Sequence, residues 1–209
     1  MKTQTLKRGL LTVALSLLII GGIALVDYLV QLGRSEGTVP PGTEAQIGGV
    51  FSLVNQFNEP VNNESYADRY KLIFFGFTHC PDVCPTTLSR MTQALNQLGP
   101  LNDKLYPLFI TVDPERDTAA RLKEYAKAFD PRIIYLTGSP DEIAKVLKAW
   151  KASRAKIATE KGEATEEDYS MSHSSVLYLM TPDDRLVESY NWEIRPDKMV
   201  DSISEWLDK

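Results

Sequence analysis

Along most of the chain, short apolar runs alternate with segments whose apolar residues recur at helical spacing. Residues 72–78 and 105–112 are nearly continuous apolar stretches, residues 133–137 a shorter one, and each has the length of a buried strand. Residues 50–61 read as a hairpin with Asn58-Glu59-Pro60 near its turn. Residues 176–180 and 185–190 read as a second, joined by Thr181-Pro182-Asp183-Asp184. Four helices fall between and after these strands. One follows Cys84, with Pro85 suited to its first turn. Residues 117–129 place Ala119, Leu122, Tyr125, Ala126 and Phe129 at helical spacing, and Ser139-Pro140-Asp141-Glu142 is a capping-box start for a helix ending near Trp150. Residues 196–207 close the chain, with Met199, Val200, Ile203, Trp206 and Leu207 on one side. Residues 151–169 are charged and lack apolar periodicity, so they read as a long loop, a feature that is often functional. Alternating β and α, then a terminal hairpin and a helix, predicts a thioredoxin-like α/β fold.

The N-terminal segment follows a different pattern. Residues 10–26 are apolar except for Thr12 and Ser16, and Leu29-Val30 extend the run past Asp27. Such a run is at the lower limit of a membrane span and longer than a typical signal-peptide core. No A-x-A cleavage pattern closes it, so it reads as an uncleaved transmembrane anchor, with a cleaved signal peptide as the alternative. Lys2, Lys7 and Arg8 precede the run and only Arg34 follows closely, which puts the N-terminus in the cytoplasm and the rest of the chain outside. Residues 33–46, rich in Gly, Pro and small polar side chains, read as a linker. The expected organisation is therefore a cytoplasmic N-terminus (1–9), an anchor (10–32), the linker (33–46) and one globular domain (47–209). The 209 residues, 43% hydrophobic, leave room for one ordinary domain and this appendage. A net charge of −5 offers no basic stripe for nucleic acid.

The only two cysteines sit together in Phe77-Thr78-His79-Cys80-Pro81-Asp82-Val83-Cys84-Pro85, directly after an apolar run. In an oxidising compartment such as the periplasm an idle pair becomes a disulfide. A helix opening at Cys84-Pro85 places the second sulfur near unpaired N–H groups that favour thiolate, the form needed for disulfide exchange and for soft-metal binding alike. The C-x-x-x-C spacing departs from the C-x-x-C of a thioredoxin-type dithiol. His173, one of only two histidines, opens the strand-like run 174–180, where thioredoxins carry a cis-proline opposite their dithiol. Two thiolates and an imidazole suit copper, whereas structural zinc usually takes a fourth ligand. A redox dithiol and an inert structural disulfide stay open beside copper ligation. The peroxiredoxin signature P-x-x-x-T-x-x-C is absent before either cysteine.

The run from Gly76 to Thr86 (GFTHCPDVCPT), followed by Val112-Asp113-Pro114-Glu115-Arg116-Asp117-Thr118, resembles the Sco/SenC family of copper chaperones for cytochrome c oxidase assembly. Glu124-Tyr125, Lys127-Ala128-Phe129, Leu136-Thr137-Gly138, and His173 before Val176-Leu177-Tyr178-Leu179 continue the match, which covers most of residues 48–207. The resemblance implies Cys80, Cys84 and His173 as copper ligands, with Cys80 and Cys84 also a redox-active pair able to form a disulfide. It implies the copper-bearing oxidase subunit and a copper donor protein as partners. The expected location is the inner membrane, with the C-terminal domain in the periplasm or the mitochondrial intermembrane space. A thiol-disulfide oxidoreductase acting on a partner's cysteines is the alternative, and enzymatic activity is otherwise not expected. Where family members commonly have Val-Asp before the distal His, this chain has Met171-Ser172, a change expected to touch ligand orientation or affinity rather than the ligand set. Met171 reads as packing, His79 as a hydrogen-bonding neighbour of Cys80, and Asp82 as a solvated turn residue. Asp113 reads as a turn or helix-start residue, with a place near the metal or in partner docking as its alternative.

Overall fold

The computed structural model describes residues 47–158 and 169–208. The expected anchor (10–32) and linker (33–46) lie outside the described residues. Among the described residues no helix is long and apolar enough to cross a membrane.

Both β-hairpins form as the apolar pattern predicts. The first joins β1 (Ser52–Asn55) to β2 (Pro60–Asn62), and Asn58 takes a left-handed φ of 64° in its turn. Two long apolar runs become β3 (Tyr70–Gly76) and β4 (Leu105–Thr111), paired in parallel from Tyr70–Leu105 to Gly76–Thr111. Between them the chain crosses over through α1 (Val83–Gln97). The next helix, α2 (Ala119–Ala126), is shorter than its predicted span of 117–129, because Thr118 caps it by accepting the Arg121 N–H. β5 (Ile134–Thr137) follows, parallel to β4. α3 (Pro140–Ala149) starts at the expected capping box: Ser139 Oγ accepts from Glu142 N, and Glu142 Oε2 accepts from Ser139 N at 2.7 Å.

The long charged loop predicted for residues 151–169 is only partly a loop. Arg154–Ile157 form a strand, β6, paired antiparallel with β7 (Ser170–His173) in a separate two-stranded ribbon. Its pattern is unreadable in the sequence because β6 buries almost nothing and contacts its surroundings through long cationic side chains. His173 therefore ends β7 and does not open the next strand: Ser174 and Ser175 separate it from β8 (Val176–Met180). β9 (Leu186–Asn191) and α4 (Pro196–Leu207) complete the chain.

The main sheet runs β2-β1-β5-β4-β3-β8-β9. β3 and β4 are buried almost throughout, the mark of strands covered on both faces by helices. Aromatic contacts knit the layers: Phe75 meets Trp150 and Tyr178, and Phe109 meets Phe74 and Tyr135. Each large apolar side chain removed from water contributes roughly 1.5–3 kcal/mol. One ion is placed in this layer. Lys71 of β3 is fully buried, and its ammonium meets Asp184 Oδ1 at 2.6 Å and donates to Pro182 O at 2.9 Å in the β8–β9 turn.

Candidate metal centre

The carboxyl end of β3 delivers the cysteine segment. Gly76 is the last strand residue, and it lies where a side chain has no room. A Cβ there would stand 2.7 Å from Phe109 Cε2 and 3.0 Å from the Cys84 sulfur. Its smallness lets α1 seat Cys84 directly against the strand, fully buried. In the sequence, a glycine interrupting the apolar run just before the motif was the available signal.

Cys80 sits in the loop and Cys84 in the first turn of α1, so the two are not on one helical face. Asp82, the residue before the helix, makes no side-chain cap; its carboxylate accepts instead from the Thr86 hydroxyl at the surface. The Cys80 sulfur takes the cap position and accepts the Cys84 N–H at 3.4 Å. The expectation that helix N–H groups activate the second sulfur is thereby corrected: they face the first. Donation from the Cys84 thiol, then a hydrogen bond with the His173 ring and the Cys84 and Asp82 N–H groups, pulls the Cys80 thiol well below the ordinary thiol range, against the opposing effect of burial. Cys84 is pushed the other way, by its hydrogen bond to Cys80, by burial and by the adjacent thiolate charge. The pair therefore loses its first proton from Cys80.

His173 arrives from the ribbon. Its Nδ1–H donates to the Ser174 carbonyl at 3.0 Å, so Nε2 is the ring nitrogen turned toward the sulfurs, without a proton whenever the ring is neutral. Phe77 holds the ring edge-on, with centroids 5.6 Å apart at 89°. Nε2 lies 3.7 Å from the Cys84 sulfur. Sulfur and nitrogen bound to one ion at about 2.3 and 2.0 Å stand roughly 3.5–3.8 Å apart at tetrahedral to trigonal angles, so this spacing fits a shared metal. Among the described residues no three His, Cys, Asp or Glu side chains form a finished ligand group. Here the third donor, Cys80, is engaged as the helix cap. The fold thus brings together all three residues singled out in the sequence, with one donor pair already at ligand spacing.

His79 turns away. Its Nδ1 is 3.2 Å from the Thr78 hydroxyl, and burial, then Arg116 and Arg121, lower its basicity. Met171 is buried in the core, as expected. Ser172 lies on the opposite ribbon face from His173 and is exposed, so replacing an acidic residue there removes nothing from the face that carries the imidazole.

The β4–α2 loop holds Asp113, which the sequence singled out, and Asp117, for which it gave no role at the site. Asp117 is fully buried and accepts from Thr78 N at 3.0 Å, Thr78 Oγ1 at 2.6 Å and Thr111 Oγ1 at 2.6 Å. Burial raises its pKa, while these three donors oppose the shift. Asp113, 1% exposed, opens a turn, in keeping with one of its two readings, its carbonyl accepting from Arg116 N at 3.3 Å and Asp117 N at 2.9 Å; the helix starts later, behind Thr118. The Asp113 carboxylate accepts the Tyr169 hydroxyl at 2.7 Å and pairs with Arg116 at 2.6 Å.

The SCO1/SenC family profile matches residues 39–208. A mitochondrial SCO1 homolog of Arabidopsis thaliana is 36% identical over 165 residues, which cover 78% of this chain and 48% of that protein. The chain thus spans about half the length of that relative. A structure of Bradyrhizobium japonicum ScoI with copper bound superposes with a TM-score of 0.69 at 41% identity, covering 77% of this chain and 99% of the other. Copper-bound yeast Sco1 gives 0.70 at 33% identity, covering 78% and 90%. With the thioredoxin-like fold, the paired cysteines and the facing histidine in place, the chain belongs to the SCO1/SenC family.

Proposed function

We propose that this protein is a membrane-anchored copper metallochaperone. It binds copper through Cys80, Cys84 and His173 and delivers it to the binuclear copper site of cytochrome c oxidase during assembly. The observation that carries this reading is the 3.7 Å approach of His173 Nε2 to the buried Cys84 sulfur across 89 residues of sequence. Soft thiolates select Cu(I), and imidazole accepts either oxidation state. Cys80 provides a thiolate at neutral pH, whereas Cys84 gives up its proton when the metal binds, so affinity falls as pH is lowered. Three donors leave the metal open on one side for ligand exchange with the copper-bearing oxidase subunit, and an upstream donor protein loads the site by the reverse exchange. Residues 10–32 anchor the chain in the inner membrane with residues 1–9 in the cytoplasm. Residues 33–46 tether the copper-binding domain, 47–209, in the periplasm or the equivalent mitochondrial intermembrane space. Tethering raises the effective concentration of membrane partners.

Titration of the reduced full chain with copper tests the reading. One equivalent binds, with thiolate-to-copper absorption in the Cu(II) form, and His173→Ala weakens binding and shifts the spectrum. Unchanged affinity and spectrum in that variant would remove the histidine from the ligand set.

A second reading, thiol-disulfide exchange, is favoured by the Cys80 thiolate beside a protonated Cys84. Cys80 attacks a partner disulfide and expels one partner thiolate. Cys84 then loses its proton, attacks Cys80 in the mixed disulfide and releases the second thiolate. The partner gains two electrons, and Cys80–Cys84 is left oxidised. Turnover of a disulfide substrate that survives Cys84→Ser excludes this two-cysteine cycle.

A further inference from the structure

The segment Val112–Asp117 reaches both halves of the centre. Its far end holds the cysteine side: Asp117 accepts the Thr78 N–H and hydroxyl two residues before Cys80. Its near end holds the histidine side. Asp113 accepts the Tyr169 hydroxyl, and Arg116 donates from Nη1 to Tyr169 O at 2.8 Å while its Cζ stands 3.6 Å from the centroid of the same ring. Arg154 of β6 donates to Val112 O at 2.6 Å, and Lys156 pairs with Glu115 at 2.6 Å. Tyr169 leads directly into β7, which ends at His173. The ribbon is a sheet of its own, closed at its base by the Ser153–Ser174 bonds, and these contacts, with the core burial of Tyr169 and Met171, fix it to the domain.

From this we infer that the β4–α2 loop is a two-armed brace that sets the separation of the cysteine and histidine donors, with Asp117 as the positioning residue for the cysteine arm and Asp113, Arg116 and Tyr169 for the histidine arm. The arms meet within five residues of one short loop. Asp113 and Asp117 are both anchored to Thr111 at the end of β4, through Asp113 N donating to Thr111 Oγ1 at 2.9 Å and Thr111 Oγ1 donating to Asp117. A displacement of one donor set is thus resisted by the loop that grips the other. The brace deepens the copper-site reading, and it rests on that reading only for its metal readout.

The test uses two readouts on the full chain. In the metal-free protein, amide hydrogen exchange separates the arms. Tyr169→Phe deletes one hydroxyl, keeps the ring, and is expected to speed exchange at residues 170–173 about tenfold while leaving Thr78 unchanged. Asp117→Asn is expected to do the reverse. In the copper-loaded protein, Tyr169→Phe is expected to weaken Cu(II) binding about tenfold and to reduce the nitrogen hyperfine coupling of its paramagnetic resonance spectrum, as changes to groups that orient a ligand do. Asp113→Asn should follow Tyr169→Phe; if it fails to fold, Tyr169→Phe and Arg116→Lys decide. Exchange at residues 170–173 equal to wild type in these variants overturns the brace. Failure of the wild type to bind copper overturns the functional reading instead, and the exchange result still decides the brace.

Discussion

Cys80 and Cys84 are chemically unlike, although nothing in their spacing says so. Cys84 is sealed between α1 and Gly76, where burial and the neighbouring sulfur keep its proton on. Cys80 is partly exposed, and donation from the Cys84 thiol, helped by the His173 ring and the helix N–H groups, holds its thiol in the ionised form. The sign follows: a thiol whose pKa is lowered is already thiolate well below the usual range, so its reactivity does not climb between about pH 6 and pH 9. Reduced protein treated with iodoacetamide is therefore expected to be alkylated at Cys80 at a nearly constant rate over that interval, with Cys84 unmodified, as read by peptide mass spectrometry. A tenfold rise in Cys80 labelling per pH unit would restore an ordinary thiol. The pair itself was legible in the sequence. The direction of its asymmetry was not, because it depends on which thiol donates to the other and which is buried.

Among the elements, the ribbon was the least legible and β3 the most. β3 announces itself as an apolar run, yet it carries Lys71 in full burial. The partners of Lys71 come from a turn more than a hundred residues away, and that turn holds Asp184 at a left-handed φ of 62°. Removing the lysine leaves the Asp184 carboxylate without its ammonium and a gap beneath it. Lys71→Ala is expected to cost about 2–4 kcal/mol in urea unfolding with little change in m. Because Lys71 stands at the end of β3 remote from the cysteine loop, copper affinity is expected to stay as in the wild type. A loss under 1 kcal/mol, as for an exposed pair, would show that the ion pair is not holding the turn. β6 shows the opposite relation of pattern to structure. Its residues read as solvated loop, and it becomes a strand because β7 pairs with it and the β4–α2 loop receives its cationic side chains. No local periodicity encodes such an arrangement.

For the whole molecule, the proposed function makes the apolar segment 10–32 the anchor that sets where the chemistry takes place. The full chain is expected to stay in carbonate-washed membranes, with residues beyond 47 digestible by protease added from the periplasmic side. Release into the wash would argue for a cleaved or peripheral N-terminus. The sequence by itself determined the strands and helices of the main sheet, the Ser139 capping box, both hairpins and which two cysteines and one histidine are the candidate donors, because each is written in local spacing or in the scarcity of Cys and His. The tertiary structure alone decided which sulfur is the thiolate, that Ser172 faces away from the donors, and that Asp113 and Asp117 grip opposite halves of the centre. Those features arise where β3, β4 and the ribbon converge, and contacts made across tens of residues leave no periodic trace in the chain.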